Sequence, residues 1–317
     1  MTGFLPSVRK FLLALVLVAL PLAAQTGRGI VTGTIQDPAQ AVVPKAEVTL
    51  TNTATGIVRK AQANDAGIYY FGSLPVGPYH LVIEATGFQK WESDFTIQAG
   101  QTMALNAAVS VATTQSTVDV STAAPQVTTE GAQLSDIKTA QIIHDLPLNG
   151  RQISNLFTLT PGVEGGQNTQ GGGSPRTNGM MVGSTEMLLD GMSYVDRFGG
   201  GISRVQPGLD TVQEYRIETA GSGAAFDRPS TIELVTRSGT NQFHGGVFET
   251  LRDNYGGLVA RAIQDGNTPA KLIRNEFGGF IGGPVVKNKA FFFYDQELLR
   301  QRSQIFAQTA VPTSDIW

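Results

Sequence analysis

Residues Ile232 to Glu249 read IELVTRSGTNQFHGGVFE, and no single environment suits both halves of that run. Ile232 to Thr236 is a continuous β-branched and apolar stretch, as expected of a strand buried on both faces. Beyond the polar turn the pattern changes. Phe243, Val247 and Leu251 alternate against Gln242, His244, Thr250 and Arg252, which predicts a strand whose two faces meet different surroundings. Downstream, RNEFGGFIGGPVVKNKAFFFYDQELLRQR continues in short alternating runs separated by turn residues. Weak alternation in segments of about ten residues, with aromatics near the ends, is the pattern of a transmembrane β-barrel. The run Phe291, Phe292, Phe293, Tyr294 puts aromatic rings on both faces of such a strand, as an interfacial girdle requires.

Composition agrees with a mainly β chain. Charged residues make up 15% against an average near 25%, and 37 glycines in 317 residues is about 12% against the usual ~7%. Both favour short strands and loops over helices. A net charge of −3 supplies no basic stripe, so nucleic acid is not an expected partner. The chain has no cysteine, which excludes disulfides, thiolate catalysis, cysteine–zinc sites and a lipidated N-terminal cysteine.

In chain order, a basic start at Arg9 and Lys10, the apolar run FLLALVLVAL and small residues Ala23 and Ala24 predict a signal peptide over 1–24, cleaved before Gln25. A membrane anchor would need roughly 20 apolar residues. From 25 to 111, about seven short alternating strands with closely spaced turns, such as Asn64-Asp65-Ala66-Gly67, predict a small β-sandwich. Val48, Leu50, Tyr69, Phe71, Leu81 and Ile83 are its expected inward residues. Residues 112–129 are rich in Thr, Ser and Ala and read as a linker. Residues 130–239 mix a short helix near Thr139 to Ile143, a helical spacing of Ile153, Leu156 and Leu159, glycine-rich loops, and the strands EMLLDGMSYVD and TVQEYRIETA. Residues 240–317 hold the barrel-like strands.

No catalytic constellation emerges. His80, His144 and His244 lie in separate segments without ligand-spaced partners, so no metal site is expected. The runs Gly171 to Gly173 and Gly199 to Gly201 lack the lysine and the strand–helix context of a phosphate loop. There is no G-x-S-x-G elbow. Neither an enzyme nor a cofactor is expected.

Several phrases match one family. DAGIYYFGSLPVGPYHLVIEATGF resembles the carboxypeptidase-regulatory-like module, a transthyretin-like sandwich that accompanies other domains and does not itself make a peptidase. LPLNGR (Leu146, Pro147, Leu148, Asn149, Gly150, Arg151), LTPGV, LDG (Leu189, Asp190, Gly191) and VQEY resemble plug sequences. Thr236, Arg237, Ser238, Gly239, Thr240 and Asn241, followed by NQFHGGVFE and NEFGGFIGGPVVKNKAFFFYDQE, resemble the plug-to-barrel junction and the first barrel hairpins. Together they resemble TonB-dependent outer-membrane receptors of the Oar-like type over nearly all of the mature chain.

That resemblance implies a transthyretin-like sandwich, an α+β plug and the first strands of a truncated outer-membrane barrel. It also implies export to the outer membrane, contact with outer-membrane lipid, a TonB-type periplasmic energising protein as partner, and uptake of a small or oligomeric substrate. In the linker, Thr117, Val118, Asp119, Val120, Ser121 and Thr122 loosely resemble a Ton box, which adds as a strand to the energising protein. A featureless tether is the alternative. Arg151 and Arg237 sit in motif words and are expected to pair with barrel-wall carboxylates, since an unpaired buried charge is costly. A plug-holding barrel has about 22 strands, whereas at about ten residues per strand Thr240 to Trp317 supplies three or four, so the chain reads as an N-terminal piece. The competing function is a secreted or cell-surface adhesion protein without transport.

Overall fold

The computed structural model describes residues 29–111, 119–120, 134–146, 148–165, 175–181, 183–195, 206–221, 226, 228–254 and 271–303. The expected signal peptide lies outside the described residues, as do Thr117, Val118, Ser121, Thr122, Pro147 and the two glycine runs.

The first unit contains β1 (Gly29–Gln36), β2 (Glu47–Asn52), β3 (Val58–Gln62), β4 (Ile68–Leu74), β5 (Gly77–Glu84), β6 (Trp91–Ile97), β7 (Thr102–Ala104) and β8 (Ala107–Ala108). One sheet runs β4-β1-β7, with β8 also on β1; the other runs β3-β2-β5-β6 and is extended by β9 (Asp119–Val120), parallel to β6. Alternation decides the packing: Val48, Leu50, Tyr69, Phe71, Leu81 and Ile83 are all buried between the sheets, with Val31, Ile35 and Ile97. Where seven strands were expected, eight precede the linker, because β7 and β8 are separate short parallel pairings on β1. The Asn64 turn closes through its own carboxamide, which accepts the amides of Ala66 (3.0 Å) and Ile68 (2.9 Å).

The second unit contains β10 (Leu134–Thr139), α1 (Ala140–Asp145), α2 (Ser154–Phe157), β11 (Val163–Glu164), β12 (Arg176–Thr177), β13 (Thr185–Leu189), β14 (Met192–Ser193), β15 (Val212–Ala220) and β16 (Ser230–Thr236). Leu146 is extended at ψ 131 and ends α1, as the residue before a proline tends to. The main sheet has the order β10-β15-β16-β13-β14, in which β13 and β16 are parallel. Ile143, Ile153, Leu156 and Phe157 pack from the helical side onto Tyr215, Ile217, Ile232 and Leu234. The Phe157 and Tyr215 rings stack at 5.7 Å. Strand β16 is buried on both faces apart from half-buried Glu233 and Thr236, as its unbroken apolar run predicts.

The third unit is an antiparallel sheet of β17 (His244–Asp253), β18 (Leu272–Val286) and β19 (Ala290–Ser303). Antiparallel partners share a face. One face therefore carries Val247, Leu251, Phe277, Ile281, Tyr294 and Leu298, and the other Phe248, Arg274, Glu276, Phe280, Asp295 and Glu297. Val247 (91%), Phe243 (71%) and Leu251 (64%) are among the most exposed apolar side chains described. Phe277, on the same face, is half-buried, and Glu249, Asn275, Gln296 and Arg300 interrupt that face toward the loop end, so it is less uniformly apolar than its hydrophobic positions alone suggest.

Candidate functional site at the contact between the second and third units

The face of the third sheet that bears charge is turned toward the second unit, and motif residues far apart in sequence meet there. After α1, a 3-10 turn at Asn149–Arg151 passes through the left-handed region at both Gly150 (φ 69) and Arg151 (φ 47). That turn aims the Arg151 side chain at the sheet. Its Nη2 donates to Asp210 Oδ2 at 2.8 Å, its Nε lies 3.7 Å from Glu297 Oε1, and the guanidinium sits 3.7 Å over the Phe248 ring. Arg274 of β18 donates from Nη2 to the Gly150 carbonyl at 3.1 Å and pairs with buried Glu276. Planar, delocalised arginine suits such a stacked and forked position better than lysine.

A second strand of contacts passes through the 3-10 turn Leu209–Thr211. Thr211 Oγ1 donates to Asp295 Oδ2 at 2.6 Å, and the Arg237 amide donates to the Thr211 carbonyl at 2.7 Å. The Arg237 guanidinium lies 5.2 Å from the Phe280 ring centroid. Asp190, in the left-handed region at φ 50, accepts from the Thr236 amide and hydroxyl, both at 2.8 Å. The Leu189-Asp190-Gly191 turn thereby fixes the end of β16, where the chain leaves one unit for the next. At Gly239 a Cβ would stand 2.3 Å from the Phe292 carbonyl, so only glycine lets the junction run against β19.

The expected words Leu146 to Arg151, Leu189 to Gly191 and Thr236 to Asn241 thus surround one region, with Leu146, Leu148, Leu189 and Arg237 described as half-buried. Of the Ton-box residues, only the backbone of Asp119 and Val120 is described, extended beside β6 in the first unit. Sequence reasoning missed the acceptors Asp210, Asp295 and Glu297 and the pair Arg274–Glu276. Their signal was available: Arg274 with Glu276 and Asp295 with Glu297 stand two residues apart on strands whose other face carries Phe277, Ile281, Tyr294 and Leu298. Among the described residues, no group of His, Cys, Asp and Glu could hold a metal ion. No described helix is long and apolar enough to cross a membrane, which does not bear on crossing by strands.

Comparison with known proteins assigns the flanks of this region. Residues 30–110 match the carboxypeptidase regulatory-like domain, and residues 235–316 match an outer membrane beta barrel domain. The TonB-dependent transporter Oar of Myxococcus xanthus is 29% identical over 289 residues, covering 83% of this chain and 26% of that protein. The chain therefore joins a carboxypeptidase regulatory-like domain to an outer membrane beta barrel domain and is similar to that TonB-dependent transporter over most of its length. It spans about a quarter of the length of that transporter. The barrel match and the transporter likeness place the chain at the outer membrane, and neither the two domain matches nor this relative describes an enzyme. Among solved structures, a catechol 1,2-dioxygenase from Acinetobacter sp. ADP1 aligns at 10% identity and TM-score 0.25, over 32% of this chain and 60% of that one. The 5-hydroxyisourate hydrolase of Klebsiella pneumoniae aligns at 19% identity and TM-score 0.23, over 26% of this chain and 92% of that one.

Proposed function

We propose that this chain is the N-terminal part of a receptor that takes up a bound substrate across the outer membrane, with residues 130–239 as the plug and β17 to β19 as the opening strands of its barrel. The observation that carries this reading is the two-sidedness of the β17–β19 sheet. Its inner face gives Glu297, Asp295, Arg274 and Phe248 to the plug, while Val247, Leu251 and Ile281 stand exposed on the other. A strand set that meets charge on one side and offers a largely apolar surface on the other suits a wall between a plugged lumen and lipid. A contact built of paired charges can also be rehydrated and reformed, as a plug that moves during each uptake cycle requires.

Thr117 to Thr122 is the segment we assign to a TonB-type periplasmic partner. Strand addition needs an extended peptide with an open backbone edge, and Asp119–Val120 is extended at the edge of the sandwich sheet, paired on one side with β6. Replacing Val118 and Val120 with proline removes two backbone donors. The expected outcome is loss of capture of the chain by a purified TonB C-terminal domain, with capture retained by the alanine pair at the same positions. Equal capture by the proline pair would reduce the segment to a tether.

A further inference from the structure

The plug sheet has an apolar face, which carries Tyr215, Ile217, Ile232 and Leu234, and an opposite face that carries Glu214, Arg216, Glu218 and Glu233. Glu214, Arg216 and Glu218 are nonetheless buried, a rare state for charged side chains unless they are paired. The sandwich reaches this face through the turn between β6 and β7. The Ala99 amide donates to Glu214 Oε2 at 2.6 Å, and Arg216 Nη1 donates to the Ala99 carbonyl at 2.8 Å, so a single residue of the sandwich is gripped at both backbone groups. Gly100 follows at φ +61, and a Cβ there would stand 2.1 Å from Arg216 Nη1.

A second contact lies at the plug–barrel junction. The Asn241 amide donates to the Ala54 carbonyl at 3.0 Å. The Asn241 side chain exchanges two hydrogen bonds with Asn288, in the turn between β18 and β19, at 2.6 and 2.8 Å. Beside the junction contact lies a cleft of about 260 Å³ walled by Tyr79, Pro78, Gln213, Gly239 and Phe291. The sandwich is therefore seated at once on β15 and on the junction that leads into the barrel strands.

We propose that the sandwich is a mechanical clamp on the plug, seated at Ala99–Gly100 on β15 and at Ala54 on the junction, which takes up tension on the linker before strand β10 does. The proposal rests on the reading that a partner pulls at Thr117 to Thr122. The arm from Val111 to Thr117 is six residues long and can extend at most about 20 Å at ~3.3–3.6 Å per residue. The arm from Thr122 to Leu134 is twelve residues long and can extend about 40 Å. The shorter arm leads to the sandwich, so the clamp resists first. Strand β10 stays paired along β15, from Leu134 opposite Ala220 to Thr139 opposite Glu214, until the sandwich leaves its seat or the longer arm is drawn tight.

Two measurements on the full chain test this without any TonB protein, so that they stand apart from the pull-down above. Hydrogen exchange at the Ala99 amide is expected to be slow, and to accelerate at least tenfold or so in both Glu214→Ala and Gly100→Ala while the central amides of β15 stay protected. The Gly100 substitution lies in the sandwich, so it decides the matter even if the Glu214 variant fails to fold. Because the chain has no cysteine, thiols introduced as Ser121→Cys and Lys287→Cys give unique handles for single-molecule pulling. The native chain should rupture in two ordered events, and Gly100→Ala should lack the first. Fast exchange at Ala99 in the native chain, or variants that change neither the exchange nor the rupture sequence, would overturn the clamp.

Discussion

Arg151 shows how a strained residue is held in place by what its side chain reaches. A non-glycine residue in the left-handed region costs roughly 1–2 kcal/mol, and Arg151 sits there at φ 47. Its guanidinium, 17% exposed, meets Asp210, 9% exposed, together with Glu297 and the Phe248 ring. Removing one partner of a buried pair leaves an uncompensated charge, which costs about 3 kcal/mol or somewhat more. Arg151→Ala is therefore expected to destabilise the plug by about that amount, read from hydrogen exchange of the most protected β15 amides. Arg151→Lys should lose less, keeping the charge but not the fork or the stacking. Native-like exchange in the alanine variant would show that the pair contributes little. The arginines were legible in the sequence because LNGR and TRSG are distinctive words. Their partners were not, since Asp210, Asp295 and Glu297 carry no motif and are found only by assigning each strand residue to a face.

At the scale of elements, alternation made the sandwich and the barrel strands readable. Every expected inward residue from Val48 to Ile83 is buried, and Val247 and Leu251 stand outward as their period requires. The seat of the sandwich on the plug was not readable, because Ala99 contributes only backbone atoms and leaves no side-chain signal. What the sequence does contain is the receiving end, Glu214 and Arg216, which with Glu218 alternate against the apolar Tyr215 and Ile217 along β15. Burial pushes the Glu214 carboxyl up to about 7; Glu233 on β16 pushes the same way, while the Ala99 amide and Arg216 oppose it. A carboxyl raised above its ordinary value of 4.5 binds its proton more tightly in the folded chain than in the unfolded one. Folding is therefore favoured by protonation of Glu214: that contribution is fully present below about 4.5 and lost as pH rises through about 7. Exchange of the most protected β15 amides, corrected for the intrinsic amide rate, should report lower stability at pH 8 than at pH 6 in the native chain, and a smaller trend in Glu214→Gln. An unchanged trend in Glu214→Gln would refute the assignment of Glu214 as the titrating group.

For the molecule as a whole, the three units place very different surfaces toward water. The sandwich and the plug each enclose a core of their own. The β17–β19 sheet encloses none; its inner face rests on the plug through paired charges, and its outer face presents Val247, Ile281, Tyr294 and Leu298. Strands β17 and β19 are the edges of that sheet among the described residues, and unpaired edges beside exposed apolar side chains favour association in water. Removing residues 240–317 takes away this surface together with Phe243 and the edges. What it uncovers on the plug is Arg151, Asp210, Thr211 and Arg237, groups that water solvates readily. Loss of Asn241 and Asn288 also frees the sandwich from its junction contact, while the Ala99 seat on β15 remains. A chain ending at Gly239 is thus expected to be more soluble and more nearly monomeric than the full 317 residues, in sedimentation at equal concentration without detergent. In an ordinary globular domain the same deletion would strip away core and cause precipitation. A full-length chain that stays monomeric in water while the truncated one precipitates would mean that β17 to β19 are core strands of a soluble protein rather than wall strands of a barrel.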